Sequence, residues 1–192
     1  MTRASLPHFS TPIYNETGVL SIPWTRFFDE LAVRIGAGKL YNLGGLLSSS
    51  TTSVGNVGTG EDDLITYTFQ KNNLVKAGDV LEITAYGSFA ANANNKRVKL
   101  KIGSTTLFDT TALAFNNKDW CIKSTITRIT ATSQNVVSVF MGDYGTLTDS
   151  VDVVSSTEDL STSLTIKCTG EATSDNDIVQ KGLNIKLFPT TT

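Results

Sequence analysis

The chain has 192 residues, 40% of them hydrophobic, and a formal net charge of −2 from 16 Lys and Arg against 18 Asp and Glu. This length suits one domain with a small appendage, and near neutrality excludes a global field that would draw in nucleic acid or an anionic membrane. The 28 threonines, 18 serines and 13 asparagines favour strands and turns, so composition points to an all-β protein.

Several function classes fall away on residue inventory. No apolar run approaches the roughly 18 residues of a membrane helix, and the start, Met1 to His8, lacks the apolar stretch of a secretory signal. His8 is the only histidine and sits among Leu6, Pro7, Phe9 and Pro12, a poor setting for a catalytic imidazole. Cys121 and Cys168 are too few for a structural zinc site. They could form one disulfide, but two reduced strand residues are the preferred reading. Gly55-Asn56-Val57-Gly58-Thr59-Gly60 precedes a strand instead of following one, unlike a dinucleotide-binding turn, and Gly36-Ala37-Gly38-Lys39-Leu40 lacks the hydroxyl residue of a phosphate loop. No cofactor and no metal is expected.

In chain order, residues 1–20 read as an extended tail with Pro7 and Pro12. Residues 21–35 read as an amphipathic helix. Ser21 or Thr25 caps it, Pro23 fits its first turn, and Gly36 and Gly38 stop it. Trp24, Phe27, Phe28, Leu31 and Ile35 share one face of this helix. A helix of about three turns is unstable alone, so this stripe must bury against the chain's own β region or against other chains. The Gly/Ser-rich stretch that follows favours the second, making 1–35 an assembly anchor. Residues 36–60 read as a flexible linker, although Leu40, Tyr41, Leu43, Leu46 and Leu47 need cover.

Residues 61–192 read as a strand-rich domain. Leu64–Phe69, Val80–Phe89, Arg97–Ile102, Trp120–Thr130, Ser163–Cys168 and Gly182–Phe188 alternate with period two. Val136–Met141 is apolar on both faces and is expected at the centre of a sheet. Thr105–Phe108 and Leu147–Val154 are weaker candidates. All four prolines lie outside the region from Trp24 to Phe188, as paired strands require. About eight strands at this spacing predict an antiparallel jelly-roll sandwich.

Polar clusters supply the candidate sites. Lys96, Arg97, Lys99 and Lys101 form the one basic concentration, read as a charged outer strand face that discourages edge pairing. Arg97, Lys99 and Lys101 are alternatively a contact for an acidic surface or glycan phosphate. Asp175-Asn176-Asp177 opens like a calcium loop but lacks its later glycine and glutamate, so a tight turn is expected. Glu61-Asp62-Asp63, Asp149, Asp152 and Glu158-Asp159 offer carboxylates for glycoside chemistry, without a sugar-stacking aromatic between them. Tyr86, Trp120 and Tyr144 are the aromatics that a carbohydrate-binding face would use.

Two stretches carry a resemblance. Pro23-Trp24-x-x-Phe27-Phe28-x-x-Leu31-x-x-Arg34-x-Gly36 resembles a segment near the start of small structural proteins of tailed bacteriophages. Thr66-Tyr67-Thr68-Phe69, Leu81-x-Ile83-x-Ala85-x-Gly87-x-Phe89-Ala90-Ala91-Asn92, Lys96-Arg97-Val98-Lys99-Leu100 and Asp177 to Leu187 are similar to the C-terminal jelly-roll knob of phage fibre, tail-needle-tip and capsid-decoration proteins. The resemblance implies a tumour-necrosis-factor-like homotrimer in the virion, non-enzymatic, with other virion proteins and a host surface glycan or receptor as partners, and no nucleic acid or membrane.

Overall fold

The computed structural model describes Trp24, residues 45–144 and residues 147–190; the side chains of residues 143–149 are not described. The chain divides into two compact units, Met1–Leu43 with Thr191–Thr192, and Gly44–Thr190. Everything described except Trp24 belongs to the second. Trp24 itself is helical and half-buried. Phe27, Phe28, Leu31 and Ile35 lie outside the described residues, as does the expected N-terminal tail.

The second unit is all-β, with eleven strands among the described residues: β1 (Gly45–Ser50), β2 (Val54–Gly55), β3 (Gly60–Phe69), β4 (Val80–Phe89), β5 (Arg97–Ile102), β6 (Thr105–Asp109), β7 (Asp119–Thr130), β8 (Ser133–Tyr144), β9 (Leu147–Ser156), β10 (Leu164–Ala172) and β11 (Ile178–Phe188). They form two antiparallel sheets. One runs β1-β11-β4-β7-β8-β9, with β2 also against β11; the other runs β3-β10-β5-β6. The chain changes sheet between β2 and β3, β3 and β4, β4 and β5, β6 and β7, β9 and β10, and β10 and β11.

Period-two alternation explains why these segments are strands. In β4, Leu81, Ile83, Ala85 and Phe89 are buried while Glu82, Thr84, Tyr86 and Ser88 face outward. Register aligns the inward residues: Ile83 lies opposite Ile185 of β11 and Ser124 of β7, and Leu81 opposite Leu187 and Ile126. The second sheet supplies Val98, Leu100, Ile102, Leu107, Ile166 and Cys168 to the same core. Ser124 and Ser138, buried on neighbouring strands, bond each other at 2.6 Å, which removes the cost of two polar groups in the core.

Two bulges re-aim side chains. In β3 an extra residue near Leu64–Ile65 places both side chains inside. The Ile65 N–H donates instead to the buried Gln180 Oε1 at 2.9 Å. In β11 the register slips between Gln180 and Gly182, which makes Lys181 the extra residue and turns it to the surface.

Three expectations change. Residues 45–55, expected as linker, supply β1 and β2 along the edge of β11, because Leu47 and Val54 find cover against the core. Val136–Met141 does lie inside a sheet, between β7 and β9, but only one of its faces is covered: Val137 and Met141 remain 44% and 40% exposed. β5, whose charges were expected to guard an edge, is an inner strand between β10 and β6.

Candidate functional site

Sheet topology gathers four connections at one end of the sandwich: residues 56–59 between β2 and β3, 90–96 between β4 and β5, 110–118 between β6 and β7, and 173–177 between β10 and β11. Two buried charges, Lys96 and Asp177, link three of them. Lys96, read in the sequence with the basic row, shares the inward parity of Val98 and Leu100 and is 0% exposed. Its Nζ donates to the carbonyls of Asn92 (3.1 Å), Asn94 (3.0 Å) and Phe115 (2.7 Å) and to Asn92 Oδ1 (2.7 Å). Burial pushes the Lys96 pKa down, and the negative charge of Asp177 opposes that shift.

Asp177 is the counter-charge, 1% exposed. It accepts from Asn92 Nδ2 (2.6 Å), Asn94 Nδ2 (2.9 Å) and the Ser174 N–H (3.0 Å). Burial would raise its pKa, but these donors and Lys96 outweigh it and the net shift is downward. Asn176, at φ 58°, makes the tight turn that presents this carboxylate. The Asp175-Asn176-Asp177 run is therefore a turn, and no cluster of metal-ligating side chains occurs among the described residues. Asn56, buried beside this turn, extends the ladder with its side chain: Oδ1 accepts from the Ile178 N–H at 2.9 Å, and Nδ2 donates to the Ser174 carbonyl at 2.9 Å.

A shallow groove of about 250 Å³ opens at this end of the sandwich, lined by Ser88, Phe89, Ala90, Ala91, Asn117, Lys118, Asp119 and Lys181. The β11 bulge aims Lys181 toward Asp119, 3.3 Å away. The left-handed Asn117 (φ 51°) shapes the other wall. Its floor rests on rigid aromatics: Phe89 stacks on Phe115 at 4.5 Å, and Trp120 lies 6.2 Å from Phe89. The exposed amide, carboxylate and ammonium groups can donate to and accept from a polyhydroxylated ligand. The bulge left no readable signal in the local sequence pattern, whereas the Asn116-Asn117 pair is itself a turn signal.

The basic row is neutralised by its neighbours. Arg97 donates through Nε to Asp109 at 2.8 Å and also pairs with Glu171. Lys99 pairs with Glu61, Lys101 lies 3.7 Å from Glu61, and Lys167 pairs with Asp63. Hydrogen bonds from Lys99 and then Thr169 hold the Glu61 pKa down at about 2, and the Arg97 bond lowers Asp109. Arg97, Lys99 and Lys101 thus sit on the outer face of the smaller sheet as one side of a paired lattice, with no local excess of positive charge. The same bonds engage Glu61 and Asp63 of the carboxylates weighed above for glycoside chemistry, and Asp62 accepts from the Val57 N–H. Glu158 accepts from the backbone and hydroxyl groups of Ser104 and Thr105, which outweigh the upward push of burial and lower its pKa.

The candidate sugar-stacking aromatics do not converge. Trp120 is 2% exposed and packs over Gly87. Tyr86 lies half-buried on the opposite face of the sheet, its ring across Gly182. Tyr144 belongs to β8, at the tip of the β8–β9 hairpin. The cysteines are unpaired: Cys121 faces outward on β7, Cys168 inward on β10. Burial raises both thiol pKa values, which suppresses reactive thiolate.

No known protein family matches this sequence, and no curated protein matches it. Among solved structures, the chain has a likeness to the CBM2 module of an evolved Dit protein from Lactobacillus casei BL23 phage J-1, with a TM-score of 0.36 and 9% identity, over 74% of this chain and 95% of that one.

Proposed function

We propose that this chain is a non-enzymatic structural protein of a tailed-phage particle. The sandwich is its displayed domain, and residues 1–35 are its anchor to the virion or to other copies in a homotrimer. The observation that carries the reading is strand order. The orders β3-β10-β5-β6 and β1-β11-β4-β7, each built from strands distant in sequence, with β8–β9 added at one side, support a jelly-roll reading of the two antiparallel sheets. The sequence resemblance of the same stretch to phage knobs supports the assignment. The polar groups also fit a display role: Glu61, Asp63, Lys96, Glu158 and Asp177 each serve bonds within the chain.

The test replaces Phe27 and Phe28 by Ala in the full chain. Incorporation into particles, or assembly of the free protein, is lost while the thermal transition of the sandwich is unchanged. Retained incorporation by a folded variant overturns the anchor.

A second reading is a host-glycan module, favoured by the groove at Asn117, Asp119 and Lys181. Multiple copies on one particle would make weak individual contacts effective. Binding on a glycan array, lost on Lys181→Ala, supports it; an array without signal removes it.

A further inference from the structure

The outer face of the larger sheet carries a row of weakly polar residues that runs across the strands. Register aligns Gly182 of β11 with Tyr86 of β4, Tyr86 with Cys121 of β7, and Cys121 with Met141 of β8. By strand parity all four turn away from the core. Met141 is 40% exposed, and Tyr86 and Cys121 are half-buried. With strands about 4.8 Å apart, the row spans about 14 Å.

Polar rows bound it on both sides. On one side Ser88 lies opposite Asp119; on the other, Asn184, Thr84 and Lys123 are aligned across β11, β4 and β7. Lys181, the extra residue of the β11 bulge, reaches Asp119 on β7 at 3.3 Å although β4 lies between the two strands. Its side chain therefore crosses β4 beside Tyr86. Lys181 pairs with Asp119 and Lys123 with Glu82, so these rows offer donors and acceptors without net charge.

The aromatic ring in the middle lies flat on the sheet. A Cβ at Gly182 would meet Cζ, Oη and Cε1 of Tyr86 at similar distances, as it would a ring approached through its face. Glycine at 182 is what lets the ring settle on backbone, and it is buried beneath that ring. One face of Tyr86 rests on Gly182; the other is turned away from the sheet.

We propose that this strip binds an uncharged oligosaccharide lying across β11, β4, β7 and β8, with one hexopyranose ring stacked on Tyr86 and its hydroxyls bonded to Lys181, Asp119 and Ser88. A pyranose carries C–H bonds on its ring faces and hydroxyls around its rim. An aromatic platform between rows of donors and acceptors is the complement of that shape. The proposal rests on the host-glycan reading and extends it from the groove onto the sheet, since Tyr86, Cys121 and Met141 lie outside the groove lining.

An array of neutral hexose oligosaccharides, with uronic-acid chains for comparison, tests it on the full chain, followed by titration of the strongest neutral binder. The wild type binds neutral chains, and Tyr86→Ala weakens that binding about tenfold. Tyr86→Phe recovers most of the loss, because the ring makes the contact. Saturating oligosaccharide also slows alkylation of Cys121 in the wild type, while Cys168, 0% exposed, reacts only on unfolding. That measurement needs no substitution and decides alone if Tyr86→Ala fails to fold. Binding that survives Tyr86→Ala in a folded variant, or that leaves Cys121 alkylation unchanged, overturns the sheet-face site while the groove keeps the glycan reading. Preference for uronic-acid chains overturns the ligand class and with it the proposal. An array without signal removes both the reading and this site.

Discussion

Lys96 and Asp177, opposite charges both sealed from solvent, are joined through a third residue: the Asn92 carboxamide accepts from Lys96 Nζ at 2.7 Å and donates to Asp177 Oδ1 at 2.6 Å. The amide dipole is aligned by both ions at once. The ammonium's remaining protons go to backbone carbonyls on two loops, so one side chain fixes the 90–96 and 110–118 connections, and Asp177 adds the β10–β11 turn. The groove sits on this fixed end.

Removing the ammonium should therefore cost more than an ordinary surface substitution. Lys96→Met leaves the Asn94 and Phe115 carbonyls without that donor and Asp177 without its counter-ion. The expected loss is about 3 kcal/mol, the scale for breaking a buried charge interaction by deleting one partner. Denaturant unfolding of Lys96→Met, Asp177→Asn and the double variant checks it. The double variant should lose less than the sum of the singles, because the two charges act as one unit.

The protein should lose stability in acid over a defined window. Glu61, Asp109, Glu158 and Asp177 are all held below the usual carboxylate range in the folded chain by the hydrogen bonds and cations described above. A depressed folded value means that the unfolded chain takes up protons first, so the stabilisation is complete above about pH 5 and is lost as pH falls toward 2. Urea midpoints measured from pH 6 to pH 2 should fall across that range, and Glu61→Gln should flatten its lower part. A flat profile in the wild type would contradict the ion-pair lattice.

Gly87→Ala should destabilise by steric overlap alone. A methyl group there would meet the Val179 carbonyl oxygen and two atoms of the Trp120 ring at 2.7 and 2.8 Å. Val179 O is backbone of the paired strand and the ring is wedged in the core, so neither yields cheaply. The expected cost is about 1–3 kcal/mol, read as a lower thermal midpoint together with a shift in tryptophan fluorescence.

The groove pair should behave in the opposite way. Lys181 and Asp119 are exposed, and such ion pairs contribute little to stability. Asp119→Ala and Lys181→Ala should leave the unfolding midpoint in place. If the groove binds saccharide, both variants lose that binding while folded, a separation between function and stability that a purely structural groove would not give.

Much of the strand content was legible because a strand writes its two faces into sequence with period two. β4, β5 and β7 alternate as read, and the same rule applied one residue earlier places Lys96 on the inward side with Val98. Four neighbouring cations, Lys96, Arg97, Lys99 and Lys101, suggest one charged surface, but parity splits them and Lys96 is buried. Arg97, Lys99 and Lys101 do face outward, but their partners Glu61, Asp109 and Glu171 come from three other strands, so their neutralisation has no local trace. Residues 45–55 were read as linker from Gly and Ser content; their pairing partner, β11, lies more than 120 residues further along the chain.

The sequence by itself determined that the domain is all-β and which side chains turn inward along regular strands such as β4, β5 and β7, since these follow from alternation and from backbone preferences within a few residues. Only the tertiary structure decided which strands meet, which edges stay open and which charges find partners. Those outcomes depend on contacts between distant segments, such as the Ile65 amide meeting Gln180 and the Asn92 carboxamide meeting Asp177, and no local period encodes them.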